Sequence, residues 1–198
     1  MSSKNVKIPG LKNQEVVFTI IGTSPLVVHA FGHKAMQEIL DRQGRKAKTG
    51  KKARDHNQEI IDSIHWIDRK KNITGFPAGG IKAAIVRGAF NSDEKMTQAR
   101  TWFFIIPDDP VTNLVKIIGN WKPDERPVRV GNGAADIRFR PLYWPWKMDI
   151  HIEFDNDNIS VEKLAVWIMK AGFGVGIGEM RPEKSSTGTY GTWKLETK

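Results

Sequence analysis

The sequence predicts an α+β fold in one domain over residues 1–198, with a ferredoxin-like or RRM-like βαββαβ core and two insertions. Three observations predict it. Residues 15–21 and 101–106 are β-branched and aromatic runs, and 148–154 alternates apolar with polar, so all three read as strands. Residues 76–90 and 160–172 carry apolar side chains at helical spacing and fall between those strands. The segments at about 30–74 and about 107–147 break this order and read as insertions.

Taken in order, 15–21 (EVVFTII) is closed by Gly22, and Ser24-Pro25 turns the chain into a short extension, 26–29 (LVVH). Met36, Ile39 and Leu40 then recur at helical spacing. Seven basic residues and no acid follow within 42–54: Arg42, Arg45, Lys46, Lys48, Lys51, Lys52 and Arg54. With no large apolar side chain the segment cannot offset its own ordering entropy. It reads as a solvated charged loop or as a phosphate-tracking arm, which counterion release would reward. Ile60, Ile61, Ile64 and Ile67 predict an amphipathic helix over 57–67. In 76–90, Pro77 suits a helix start, and Ile81, Ala84, Ile85 and Gly88 form a narrow face able to lie close on a sheet. Lys82, in the first turns where backbone N–H groups attract anions, is expected to face a ligand in preference to Arg87.

After the strand at 101–106 the sequence becomes irregular, with 127–130 (PVRV) and 135–140 (ADIRFR) able to pair as a hairpin. Arg138 and Arg140 are interleaved there with aromatic residues, a pattern suited to phosphate contacts beside stacked bases at about 1–3 kcal/mol each. About half of these aromatics are assigned to the core, leaving Tyr143 and Trp144 as ligand candidates. Asp149, His151 and Glu153 share one face of the strand 148–154, which reads as its solvated side; no metal or other cofactor is expected. Ser160 caps a helix with a core face of Val161, Leu164, Ala165, Ile168 and Met169, ended by Gly172.

The stretch 172–193 is the focus of the functional reading. Glycines alternate with Phe173, Val175 and Ile177, which removes side chains from one face of an extended segment. A sugar-phosphate chain or a neighbouring strand can then approach closely. Peptide N–H groups at Gly174, Gly176 and Gly178 would form an anion-binding concavity, with Arg181 and Lys184 supplying full charge. Residues 190–196 (YGTWKLE) read as the last strand.

Composition agrees with a polyanionic partner. The formal net charge is +9 and the pI near 9.8. Cysteine is absent, which excludes disulfides, thiolate metal sites and a cysteine nucleophile. The start MSSKNVKIPG has no apolar signal core and no run reaches membrane-spanning length, so a soluble cytoplasmic protein without membrane contact is expected.

The order of elements, with IGTSPLVVH at 21–29, GFPAGGIKAAIVRGA at 75–89, GVGIGEMRP at 174–182 and GTYGTW at 188–193, resembles the RAMP superfamily of CRISPR backbone subunits and crRNA-processing ribonucleases. IGTSPLVVH, MTQAR, VRVGNGAADIRFRP and GIGEMRPEKS look like a set of bacteriophage-encoded proteins. The resemblance implies single-stranded nucleic-acid binding, DNA or RNA, in a shallow groove by many copies side by side. It would make the basic segment a finger and the arginine-aromatic hairpin a thumb. The acidic loop residue that some backbone subunits use for cleavage has no clear match. The leading expectation is a non-enzymatic coat that self-associates into an oligomer or filament, in the cytoplasm of a bacterial host. Two others stand beside it. One is a metal-independent endoribonuclease using His29 or His33 as proton donor or acceptor. The other is a protein-binding module such as a viral inhibitor of host defence.

Overall fold

The computed structural model describes residues 10, 12–31, 33–44, 55–130 and 133–197. The protein is a mixed α+β structure with antiparallel sheets. Its main sheet joins four strands in the order β10 (Trp193–Leu195), β1 (Asn13–Gly22), β9 (Lys147–Asp155) and β5 (Phe103–Ile106). In the chain, α3 (Ala78–Phe90) lies between β1 and β5, and α5 (Val161–Gly174) between β9 and β10.

Alternation sets which face is covered. Met148, Ile150, Ile152 and Phe154 of β9 are buried with Ile20 of β1 and Phe103 of β5, and α3 and α5 supply Ile81, Ile85, Leu164, Trp167 and Ile168 to the same core. Trp167 stacks at 6.1 Å on Trp102, the last residue of α4 (Met96–Trp102). The opposite face carries Asp149, His151 and Glu153. Asp149 accepts a bond from Thr19 at 2.7 Å and Glu153 one from Asn13 at 2.8 Å, both across the β1–β9 pair.

Several boundaries differ from the sequence expectation. Thr101 and Trp102 finish α4, so the strand expected from 101 begins at Phe103. The helix expected over 57–67 is α2 (His56–Asp62), capped by the Asp55 side chain; Trp66–Asp68 forms β3 instead. Phe76 and Pro77 end β4 (Ile73–Pro77), and α3 starts after the proline. The hairpin expected from 127–130 and 135–140 is longer than expected, with β7 (Trp121–Val130) paired along its length with β8 (Ala134–Tyr143). Pro123 and Pro127 are tolerated because β7 is the outer strand of its sheet, where a missing N–H breaks no inner ladder.

The segments flanking the main sheet also meet each other. β2 (Leu26–Val27) pairs with β8, β4 pairs with β6 (Leu114–Lys116), and α2 packs on β8. They form two small sheets, β2-β8-β7 and β3-β4-β6, the first of which meets the loop leaving α5. Helix α1 (His33–Gln43) leads into the basic segment, of which 45–54 lies outside the described residues. Among the described residues no helix is long and apolar enough to cross a membrane.

Candidate nucleic-acid interface

The loop 175–192 folds back on itself. Ile177 N–H donates to Gly191 at 3.0 Å and Tyr190 N–H to Met180 at 3.2 Å. It is stitched to the chain after β1: Glu179 N–H donates to Val27 and Gly191 N–H to Pro25, each at 2.8 Å. This corrects the expected extended ribbon. Gly172 and Gly174 complete α5, while Gly176 and Gly178 turn the chain with φ of 72° and 76°. A Cβ on Gly178 would lie 2.4 Å from the Val27 carbonyl, and one on Gly191 (φ 67°) 1.8 Å from that of Ile177. The backbone these two glycines admit is the chain's own.

One side of the loop opens on a cleft of about 350 Å³ against α3. Gly80, Ala83 and Ala84 line one wall, the backbone of 175–178 the other, and Arg87, Arg181 and Glu183 the rim. Arg87 Nε donates to Glu183 Oε1 at 2.8 Å, Arg181 Nε lies 3.5 Å from Oε2, and Arg181 Nη1 donates to the Gly178 carbonyl at 3.0 Å. The predicted Arg181 is therefore at the cleft, but its companion is Arg87. Lys82 lies over the edge strand, its Nζ 3.8 Å from the Phe104 ring centroid, and burial lowers its pKa. The helix turns Arg87, two turns beyond Gly80, onto the glycine side, a spacing legible in the sequence. Nothing in the sequence marked Glu183. Lys184 is exposed beside it.

The other side of the loop meets the β7–β8 hairpin. Arg126 Nε donates to Asp124 at 3.1 Å, its Nη1 approaches Met180 Sδ at 3.2 Å, and its guanidinium carbon lies 5.1 Å from the Tyr190 ring centroid. Arg140 is 2% exposed, with Nη1 at 3.6 Å from Glu179 and Nη2 at 3.8 Å from Asp124. Burial pulls its pKa below the ordinary value, and the Glu179 and Asp124 carboxylates oppose that pull. Arg140 is thus a structural ion pair and not the surface contact the sequence suggested. Tyr143 is likewise corrected: it is 1% exposed, hydrogen-bonded to Thr74, and burial pushes its hydroxyl up to about 12. Trp144, next to Tyr143, is 47% exposed. For Tyr143 the sign follows from that raised value. Its contribution to stability is full below the ordinary value of 10.0 and is lost as pH rises toward about 12. Alkaline difference spectra of Tyr143→Phe against the parent check this.

His29 follows β2, where Val28 N–H donates to the Pro141 carbonyl at 3.2 Å, and so sits beside Arg138 and Arg140. Desolvation and the Arg138 charge lower its pKa, Glu179 raises it, and Arg140 lowers it further. His65, from the run read as helix, is lowered by burial and by the nearby His29. For both rings the folded state favours the neutral form, so their stabilisation is present above the ordinary 6.5 and is lost as pH falls through the depressed folded values. Urea midpoints should drop from pH 7.5 to 5.5, and less steeply in His29→Gln or His65→Gln. His33 and Arg42 are residues of α1; Arg45, Lys46, Lys48, Lys51, Lys52 and Arg54 fall outside the described residues.

No protein-family profile and no curated protein matches the chain. Among solved structures it is similar to the crystal structure of Cmr6 from Pyrococcus furiosus, at 10% identity and a TM-score of 0.46, over 94% of this chain and 100% of that one.

Proposed function

We propose that this chain binds unpaired DNA or RNA with little sequence preference and self-associates along the strand. The observation that carries the reading is the loop 175–192, which has cationic groups on both sides. Arg87 and Arg181 stand at the cleft, and Arg126 and Arg138 stand on the hairpin. Glu183 holds Arg87 and Arg181, and Asp124 holds Arg126, in place before any ligand arrives. The net charge of +9 extends the attraction beyond the loop. Lys184 and the basic segment 45–54 would add phosphate contacts, and exposed Trp144 a stacking surface. The strand order β10-β1-β9-β5, with α3 and α5 as connections, supports the ferredoxin-like core and the RAMP resemblance. A bacteriophage or CRISPR setting belongs to the same reading.

Binding of labelled 30-nucleotide single strands and duplexes of DNA and RNA across a salt series tests it. Affinity for the unpaired strands should exceed that for duplexes. With about four phosphates neutralised per copy, its logarithm should fall with a slope of about −3 against the logarithm of salt. Arg87→Ala, Arg181→Ala and Lys184→Ala combined with removal of 45–54 should flatten that slope to near zero. Unchanged tight binding in that variant, or no binding at 50 mM salt in the parent, would sink the proposal.

A second reading is favoured by the neighbouring imidazoles of His29 and His65, both with pKa values lowered by burial, His29 also by Arg138 beside it. That grouping suits proton transfer during metal-independent RNA cleavage. Labelled RNA hairpins incubated in EDTA should then be cut by the parent and spared by His29→Ala.

A further inference from the structure

The cleft against α3 has a chemical division that general phosphate attraction does not need. Its interior is mostly apolar: Phe76, Gly80, Ala83, Ala84 and Met96 line it opposite residues 175–178. Its rim is charged, with two guanidinium groups sharing one carboxylate, Glu183. A slot of about 350 Å³ falls at the small end of the roughly 300–1,000 Å³ of ordinary ligand pockets. Gly80, Ala83 and Ala84 keep side-chain volume low on the α3 wall, which leaves room for a planar ring. Phe76 and Met96 supply aromatic and thioether surface to such a ring.

The rim suits a phosphate for a separate reason. Two guanidiniums around one carboxylate leave an excess of one positive charge, and each can donate to a phosphate oxygen as it does to a carboxylate oxygen. Glu183 is anchored through its backbone N–H, which donates to the Val175 carbonyl at 3.3 Å, and its side chain is 30% exposed. The carboxylate can therefore swing into water while the loop keeps its course.

We propose that this cleft holds one nucleotide of the bound strand, its base in the slot and its phosphate between Arg87 and Arg181, at the place Glu183 occupies in the free chain. The inference rests on the single-strand reading above and adds to it a defined subsite and a built-in competitor. A base in the slot must leave any helical stack, so the site also discriminates against duplexes.

Calorimetric titration of the full chain with AMP, adenosine and inorganic phosphate tests it, beside a 30-nucleotide single strand. AMP should bind saturably, with adenosine and phosphate each at least about tenfold weaker, because neither half alone fills both parts. Glu183→Gln should tighten AMP about threefold or more by weakening the competing anion. Ala83→Trp, at an exposed helix position, should remove AMP binding; its thermal melt reports that the chain remains folded. Absence of AMP binding to the parent, equal binding by folded Ala83→Trp, or unchanged or weaker AMP binding by Glu183→Gln overturns the subsite while leaving the 30-mer result to judge the single-strand reading. Failure of the 30-mer to bind the parent overturns both.

Discussion

Arg140→Ala should destabilise the chain by about 3–5 kcal/mol, because it removes one partner of a buried ion pair and leaves the other in a low-dielectric site. Arg140 is 2% exposed and Asp124 7%, and the Arg140 Nη2 and Asp124 Oδ2 atoms, 3.8 Å apart, have no hydrogen-bond partner among the described residues. Removing the arginine leaves Asp124 with Arg126 as its cation, and Glu179 loses the group that tethers it. The double change Arg140→Met with Asp124→Leu should recover most of the loss, since apolar replacement of a whole buried pair is often neutral. Urea unfolding followed by tryptophan fluorescence reports both. A loss under about 1 kcal/mol in the single variant would show that the pair is not buried as described.

Gly191→Ala is expected to cost about 3 kcal/mol or more. The left-handed φ of 67° carries roughly 1–2 kcal/mol for any L side chain, and overpacking adds roughly 1–3 kcal/mol. The added methyl would meet the Ile177 carbonyl at 1.8 Å, and that carbonyl is backbone within a loop pinned at Val27 and Pro25. It cannot rotate aside as a side-chain tip would. Gly174→Ala is the internal control: it closes α5, has no neighbour within 4 Å of the added atom and should change the unfolding midpoint little. A Gly191→Ala midpoint equal to that of Gly174→Ala would show that the loop is free to rearrange.

The elements whose packing repeats locally were legible in the sequence. Alternation in 148–154 and the apolar spacing of 161–172 mark β9 and α5 as elements, although in α5 Trp167 is buried and Met169, expected in the core face, is exposed. The charge excess was legible too. The glycine stretch misled because glycine at every second position is compatible with an extended ribbon, with a helix end and with left-handed turns; here the last two occur. Choosing among them requires knowing that Val27 and Pro25 lie across the loop, a contact some 150 residues away in sequence. Arg140 and Tyr143 looked like surface chemistry for the same reason. Their burial depends on β8 lying between β2 and β7, and on Glu179 approaching from the far end of the chain. His65 was hidden in an isoleucine-rich run whose period matched a helix until Asp62, after which the chain turns into β3.

The outermost strands of the main sheet, four residues in β5 and three in β10, bear on how copies can line up. So short a fringe offers a neighbour few free peptide groups, and on the β5 side the ammonium of Lys82 hangs over Phe104. Continuous ladders running from one subunit into the next are thereby disfavoured. If copies line up along a strand as proposed, the main sheet would not be extended from one copy into the next, and their contacts would fall to side-chain surfaces or to the other sheets.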